Sequence, residues 1–157
     1  MHSPPLPQSA PAARSEPSLF YRITGGLNVL VWKLPLPRRV LVPLSMVVYR
    51  SPPMPGEEVL NIVGALQAAE VNCWISGGWG VDALAAEHTR THRDLDLVIE
   101  DRHMRRAVEV MEDLGYREWY RADSDVPMAS RVVLHDHDPA GRAVDLHPLE
   151  LSGTQVE

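Results

Sequence analysis

Cysteine is nearly absent from this sequence: Cys73 stands alone among 157 residues. One cysteine excludes an internal disulfide and a cysteine zinc cluster, so the chain reads as intracellular and cytoplasmic, with Cys73 a small core residue. Long hydrophobic runs are missing as well. The most apolar stretch, from Leu19 to Pro55, is interrupted by Lys33, Arg38 and Arg39 and broken by Pro35, Pro37 and Pro43. No part of it reaches the ~20 uninterrupted apolar residues of a spanning helix. The first residues lack a basic start followed by a clean apolar core and make a poor secretory signal. No internal repeat is present. Positive charge is scarce beyond Arg50. Residues 1–50 carry +5, so the remainder carries −11 of the overall −6. Such an acidic body disfavours nucleic acid as a partner and attracts cationic small molecules.

What is there divides into three parts. Residues 1–18 are rich in Pro, Ser and Ala and read as a disordered tail. Residues 19–54 form a basic-apolar extension, two short amphipathic helical segments joined by LPLPRR. Leu27, Leu30, Val31 and Leu34 recur at helical spacing, and burying them against the body is the first expectation. Contact of residues 19–50 with a membrane surface or a partner is the other use of such a segment. Residues 55–157 form the body. Helical spacing of Val59, Ile62, Val63 and Leu66 after Glu57 and Glu58 predicts a helix. The stretch VNCWIS predicts a strand ending at Gly77-Gly78. GWGVDALAAE predicts a helix with Val81 and Leu84 on one side. LDLVIE predicts a second strand, and DRHMRRAVEVMEDLG a helix with Met104, Ala107, Val108, Met111 and Leu114 as its stripe and Gly115 as its C-cap. Three further strands follow in YREWYRA, SRVVLHDH and AVDLHPLEL, the last two joined by DPAGR. The expected architecture is an α/β (α+β) domain with a small mixed sheet flanked by helices.

The chemistry gathers at the entrance of the second strand. Side chains alternate faces along a strand, so Asp94 and Asp96 point the same way with Leu95 opposite. Adjacent carboxylates repel, and a divalent cation such as Mg2+ removes the conflict. Asp145, between Val144 and Leu146 on a predicted strand, supplies a third carboxylate if that strand lies beside LDLVIE. Alone, an Asp-x-Asp triplet reads more readily as two solvated acids. Gly77-Gly78 shifts that balance, because amides at a strand–helix turn cradle phosphates and only glycine admits close approach. Histidines are plentiful, but the spacing of His135, His137 and His147 fits no familiar zinc pattern. His135 and His137 read as solvated, and His147 shares a face with Asp145.

The segment WISGGWGVDALAAEHTRTHRDLDLVIE resembles the antibiotic nucleotidyltransferases, in particular the lincosamide and aminoglycoside 2″-adenylyltransferase group of the DNA polymerase β-like nucleotidyltransferase superfamily. The superfamily signature is Gly-Gly or Gly-Ser, a spacer, Asp-hydrophobe-Asp, and a later Asp on a neighbouring strand. Gly77, Gly78, Asp94, Asp96 and Asp145 stand at those positions. The spacer is longer than the superfamily's usual one and looks like this subgroup's own form. The resemblance runs from about Glu57 to Leu151.

It implies Mg2+-dependent transfer of AMP, or another NMP, from ATP or another nucleoside triphosphate to a hydroxyl of a small acceptor, an aminoglycoside or lincosamide. In this reading Gly77 and Gly78 hold the β- and γ-phosphates. Asp94 and Asp96 ligate the metal, and Asp145 is a further ligand or the general base. Arg90 and His92 touch phosphate. Trp79 is a core residue rather than a nucleotide stacker, and Asp82 either approaches the site or is solvated. The chain stops about a dozen residues after Asp145, whereas the family continues. A shortened acceptor site, completed in a homodimer, is therefore one expectation. An RNA- or protein-modifying toxin and a non-catalytic nucleotide-binding module are the alternatives.

Overall fold

The computed structural model describes residues 18–48, 51–122, 130–136 and 141–151. The tail expected to be disordered, apart from Ser18, and His137 lie outside them. Two helices come first, α1 (Leu19–Trp32) and α2 (Arg38–Val48), then α3 (Gly56–Ala68). β1 (Cys73–Ile75), α4 (Gly77–Ala85) and β2 (Asp94–Glu100) follow. A 3-10 turn at Asp101–His103 leads into α5 (Met104–Asp113), and β3 (Arg117–Ala122), β4 (Arg131–His135) and β5 (Ala143–Leu149) complete the order. The strands form one mixed sheet in the order β1-β2-β5-β4-β3, in which β2 and β5 are parallel and the other pairs antiparallel. This is the expected α/β architecture.

Period-two alternation sets the two faces of the sheet. Leu95, Leu97 and Ile99 of β2, Val144 and Leu146 of β5, and Val132 and Leu134 of β4 are buried together on one face. Val59, Ile62 and Leu66 of α3 and Ala107, Val110 and Met111 of α5 belong to the same core. The other face carries Asp94, Asp96, Asp145 and His147. The end of α5 follows its sequence signal. Gly115 takes φ +84°, its N–H donates to the Glu112 carbonyl, and the Tyr116 N–H donates to that of Met111. These are the paired bonds of a Schellman stop, a backbone shape that glycine adopts without strain.

The structure completes one expectation and corrects two. The first concerns α4. Val81 is 60% and Leu84 92% exposed, while Asp82 is buried. This helix packs through its glycines: a Cβ on Gly80 would lie 2.9 Å from the Ile75 carbonyl oxygen, so the backbones meet where side chains would ordinarily stand. The second concerns the extension, which is helical as expected. Its α1 packs chiefly on α2, and Val31 is buried, but Leu27, Leu30 and Leu34 remain exposed rather than covering the body. No helix among the described residues is long and apolar enough to cross a membrane. The third concerns His135. It is buried, not solvated, and stacks on Trp119 with ring centroids 5.8 Å apart. Burial, partly offset by the nearby Asp136 charge, depresses its imidazole to about 4.

Candidate active site

The register of β2 on β5 sets Asp96 directly beside Asp145. Asp94 precedes Asp96 by two residues and His147 follows Asp145 by two, so all four share the polar face. His147 Nε2 lies 3.6 Å from Asp96 Oδ1. Ligand atoms of Asp96, Asp145 and His147 all lie within 4.8 Å of one another, a spacing fit to hold one cation. Asp94 stands at the outer rim, exposed but within electrostatic reach of both other acids. Of the three carboxylates anticipated from sequence, Asp96 and Asp145 thus come together with His147, while Asp94 lies on the same face outside that close group.

The electrostatics are those of an unsatisfied anionic pocket. Burial is the main force pushing the Asp145 carboxyl up, to about 6. Asp96 and Asp94 push the same way, while Arg131 and His147 oppose them. Arg131 reaches Asp145 from β4, Nη1 to Oδ2 at 3.4 Å. Asp94 is raised as well, by partial desolvation and then by the Asp96 charge. His147 Nδ1 is buried without a hydrogen-bond partner among the described residues.

The glycines close one side of this pocket. They are the first two residues of α4 rather than a separate turn, and Gly77 holds φ +58°. A Cβ on Gly77 would collide with the Asp96 carboxylate. The Ser76 N–H donates to the Asp96 carbonyl at 2.9 Å and seats the helix start on β2. The first amides of a helix have no acceptor within it, so α4 points donors at the mouth of the pocket. A Cβ on Gly78 would strike the His92 ring and come within 3.1 Å of Arg90 Nη2. Arg90 and His92 therefore both reach Gly78.

Behind them lies a second cluster that the sequence left open. Asp82 accepts from Thr89 Oγ1 at 2.6 Å and from the Thr89 N–H at 3.2 Å. Its other oxygen lies 2.6 Å from His92 Nε2 and 3.9 Å from His88 Nε2. Asp82 and His92 are both buried. The Thr89 hydroxyl is the main cause holding the Asp82 carboxyl down at about 2; the His92 contact and the Thr89 amide add to it, against desolvation. Trp79 packs against the core, as expected, and stacks on His88 at 5.3 Å between centroids. Asp82, His88 and His92 also have metal-like spacing. Here, however, both carboxylate oxygens already hold donors, which leaves little for a cation to satisfy. One residue had no sequence signal: Arg131 becomes visible only through the β4–β5 pairing. Of the two readings open for Asp82, the solvated one is excluded by its burial.

A family model described as aminoglycoside-2″-adenylyltransferase matches residues 58–157. Over 99 residues the chain is 32% identical to a lincosamide resistance protein of Staphylococcus haemolyticus, covering 61% of this chain and 55% of that protein. The chain thus spans about half the length of this curated relative. Among solved structures, the lincomycin-bound lincosamide antibiotic adenylyltransferase LnuA matches with a TM-score of 0.55 and 30% identity, over 65% of this chain and 60% of that one. ANT(2″)-Ia in complex with adenylyl-2″-tobramycin matches with a TM-score of 0.52 and 24% identity, over 61% and 50% respectively, and shares the fold.

Proposed function

The chain belongs to the aminoglycoside-2″-adenylyltransferase family, and on that premise we propose that it is a nucleotidyltransferase moving AMP, or another NMP, from a nucleoside triphosphate such as ATP to a hydroxyl of an aminoglycoside or lincosamide antibiotic. The observation that carries this reading is the Asp96–Asp145 pair, set side by side by strand register under the glycine start of α4. Asp96 and Asp145 offer hard oxygen donors suited to Mg2+, His147 adds a nitrogen beside them, and Asp94 on the same face would supply a further oxygen. Bound there, Mg2+ would neutralise triphosphate charge and relieve the repulsion that raises the carboxyls.

The chain's own groups supply the rest. The amides of Gly77 and Gly78 and the Arg90 guanidinium receive the β- and γ-phosphates. The acceptor oxygen attacks the α-phosphorus, the bond from that phosphorus to the bridging oxygen breaks, and pyrophosphate departs in line. Asp145, whose carboxyl is pushed up to about 6 chiefly by desolvation, is either a further ligand for the metal or the base that takes the acceptor's proton. Arg131 steadies that carboxylate from β4. The −11 charge of residues 51–157 favours a cationic acceptor over RNA.

The test is transfer of label from α-phosphate-labelled ATP, and in turn the other nucleoside triphosphates, to lincosamides and aminoglycosides in the presence of Mg2+. A labelled antibiotic with one pyrophosphate per transfer is the expected product. Label appearing on RNA or protein instead, or on no acceptor at all, would sink the reading.

A further inference from the structure

We propose that Asp82 is a positioning residue for triphosphate binding: it clasps both flanks of Arg90 and so fixes that guanidinium over Gly78. The inference rests on the nucleotidyltransferase reading and adds to it a residue outside the metal pocket.

The geometry starts on α4. Asp82 lies four residues after Gly78, so both stand on one side of the helix. The loop of residues 88–93 crosses that side. Thr89 gives Asp82 two hydrogen bonds, and His92 gives it a third through Nε2. Arg90 lies between the two clasped residues. The far end of the loop is pinned independently: the Met54 N–H donates to the His92 carbonyl at 2.9 Å, and Ser51 Oγ donates to the Arg93 carbonyl at 3.1 Å. The backbone on either side of Arg90 is thus anchored, while its side chain stays exposed.

The position of that side chain is unusual for an arginine. It reaches the N-terminus of α4, where the helix dipole opposes a cation. It acts through space on Asp94 but makes no hydrogen bond or ion pair among the described residues. A cation held at a positive helix end is stabilised by an anion lying between them, and a phosphate satisfies both groups together. The buried Asp82 carboxylate is the device that keeps it there. Loosening the clasp lets a long, flexible side chain regain its rotamers, so its ordering must come out of the binding free energy.

The test is a double-mutant cycle on ATP binding with Mg2+ present, read by calorimetry, with KM and kcat measured alongside. Arg90→Ala is expected to weaken ATP binding roughly tenfold, the scale of one lost charge-assisted contact. Asp82→Asn is expected to weaken it roughly three- to tenfold in the native background and less than twofold in the Arg90→Ala background. KM should carry most of the change. Should Asp82→Asn fail to fold, Thr89→Val removes one bond of the clasp from an exposed position. That variant is expected to weaken ATP binding about two- to threefold, with Thr89→Ser restoring it. Equal effects of the Asp82 or Thr89 substitution in both backgrounds, or no rescue by serine, would overturn the positioning role while leaving the nucleotidyltransferase reading intact. Absence of ATP binding by the unsubstituted protein would overturn both.

Discussion

Asp82, buried, and Asp145, half-buried, are both acids beside histidines, yet they are built in opposite ways. Asp82 holds donors on both oxygens and is driven down to about 2. Asp145 sits against two other carboxylates, with Arg131 as its only ion-pair partner among the described residues, and is driven up to about 6. A carboxylate that is already satisfied holds a structure in place. One left short of positive charge is poised to take a cation or a proton. The metal-like spacing of both clusters does not separate these roles, but their hydrogen bonds do.

Asp145→Asn sets that contrast at its sharpest. Transfer is expected to fall between about a hundredfold and ten-thousandfold, the range for a lost general base. Stability at pH 7 is expected to rise by about 1–2 kcal/mol, because a half-buried, crowded charge is removed. Turnover and urea unfolding on the same preparation check both. A stability loss instead would make Asp145 a structural acid like Asp82.

Gly77→Ala comes next. A left-handed conformation costs a non-glycine residue about 1–2 kcal/mol, and the new Cβ must displace the Asp96 carboxylate. Unfolding free energy should drop by at least that amount, and activity should drop with it.

The pH profiles of stability should run in opposite directions. The folded Asp145 carboxyl lies above the ordinary value near 4, so the native state binds its proton more tightly than the unfolded chain. That contribution is complete below about pH 4 and is lost as pH rises through about 6. The folded Asp82 carboxyl lies below the ordinary value. Its contribution is complete above about pH 4 and is lost as pH falls through about 2. Urea titrations across pH 2–7 should show Asp145→Asn flattening the upper slope and Asp82→Asn the lower one.

The smallest effect is expected at Leu84. It is almost fully exposed, so Leu84→Gln should change the stability of this chain by less than about 0.5 kcal/mol. A larger loss would mean that the side of α4 bearing Val81 and Leu84 is covered.

Where the backbone period decided the outcome, the sequence was readable. The alternation in DLDLVIE placed Asp94 and Asp96 on one face, and Gly115 marked the end of α5. Asp145 was legible because its apolar neighbours fixed which way it points. The helix α4 was legible but its buried side was not, because in nine residues with three glycines the apolar side chains do not choose that side; close backbone packing does. His135 was misread for a related reason: its shelter is Trp119, brought near by β3–β4 pairing that no local pattern announces. The exposed apolar residues of α1 show the converse limit, since helical spacing foretold the helix but not what would cover it.

Manganese binding tests most directly the distinction between the two clusters. Mn2+ in place of Mg2+ can be followed by electron paramagnetic resonance, with ATP present, in the native protein and in the Asp145→Asn and Asp82→Asn variants. Tight Mn2+ binding is expected in the native protein and in Asp82→Asn at saturating ATP, with a loss of tenfold or more in Asp145→Asn. Binding that survives in Asp145→Asn and disappears in Asp82→Asn would place the metal in the wrong cluster and contradict the assignment of Asp94, Asp96 and Asp145 as the active site.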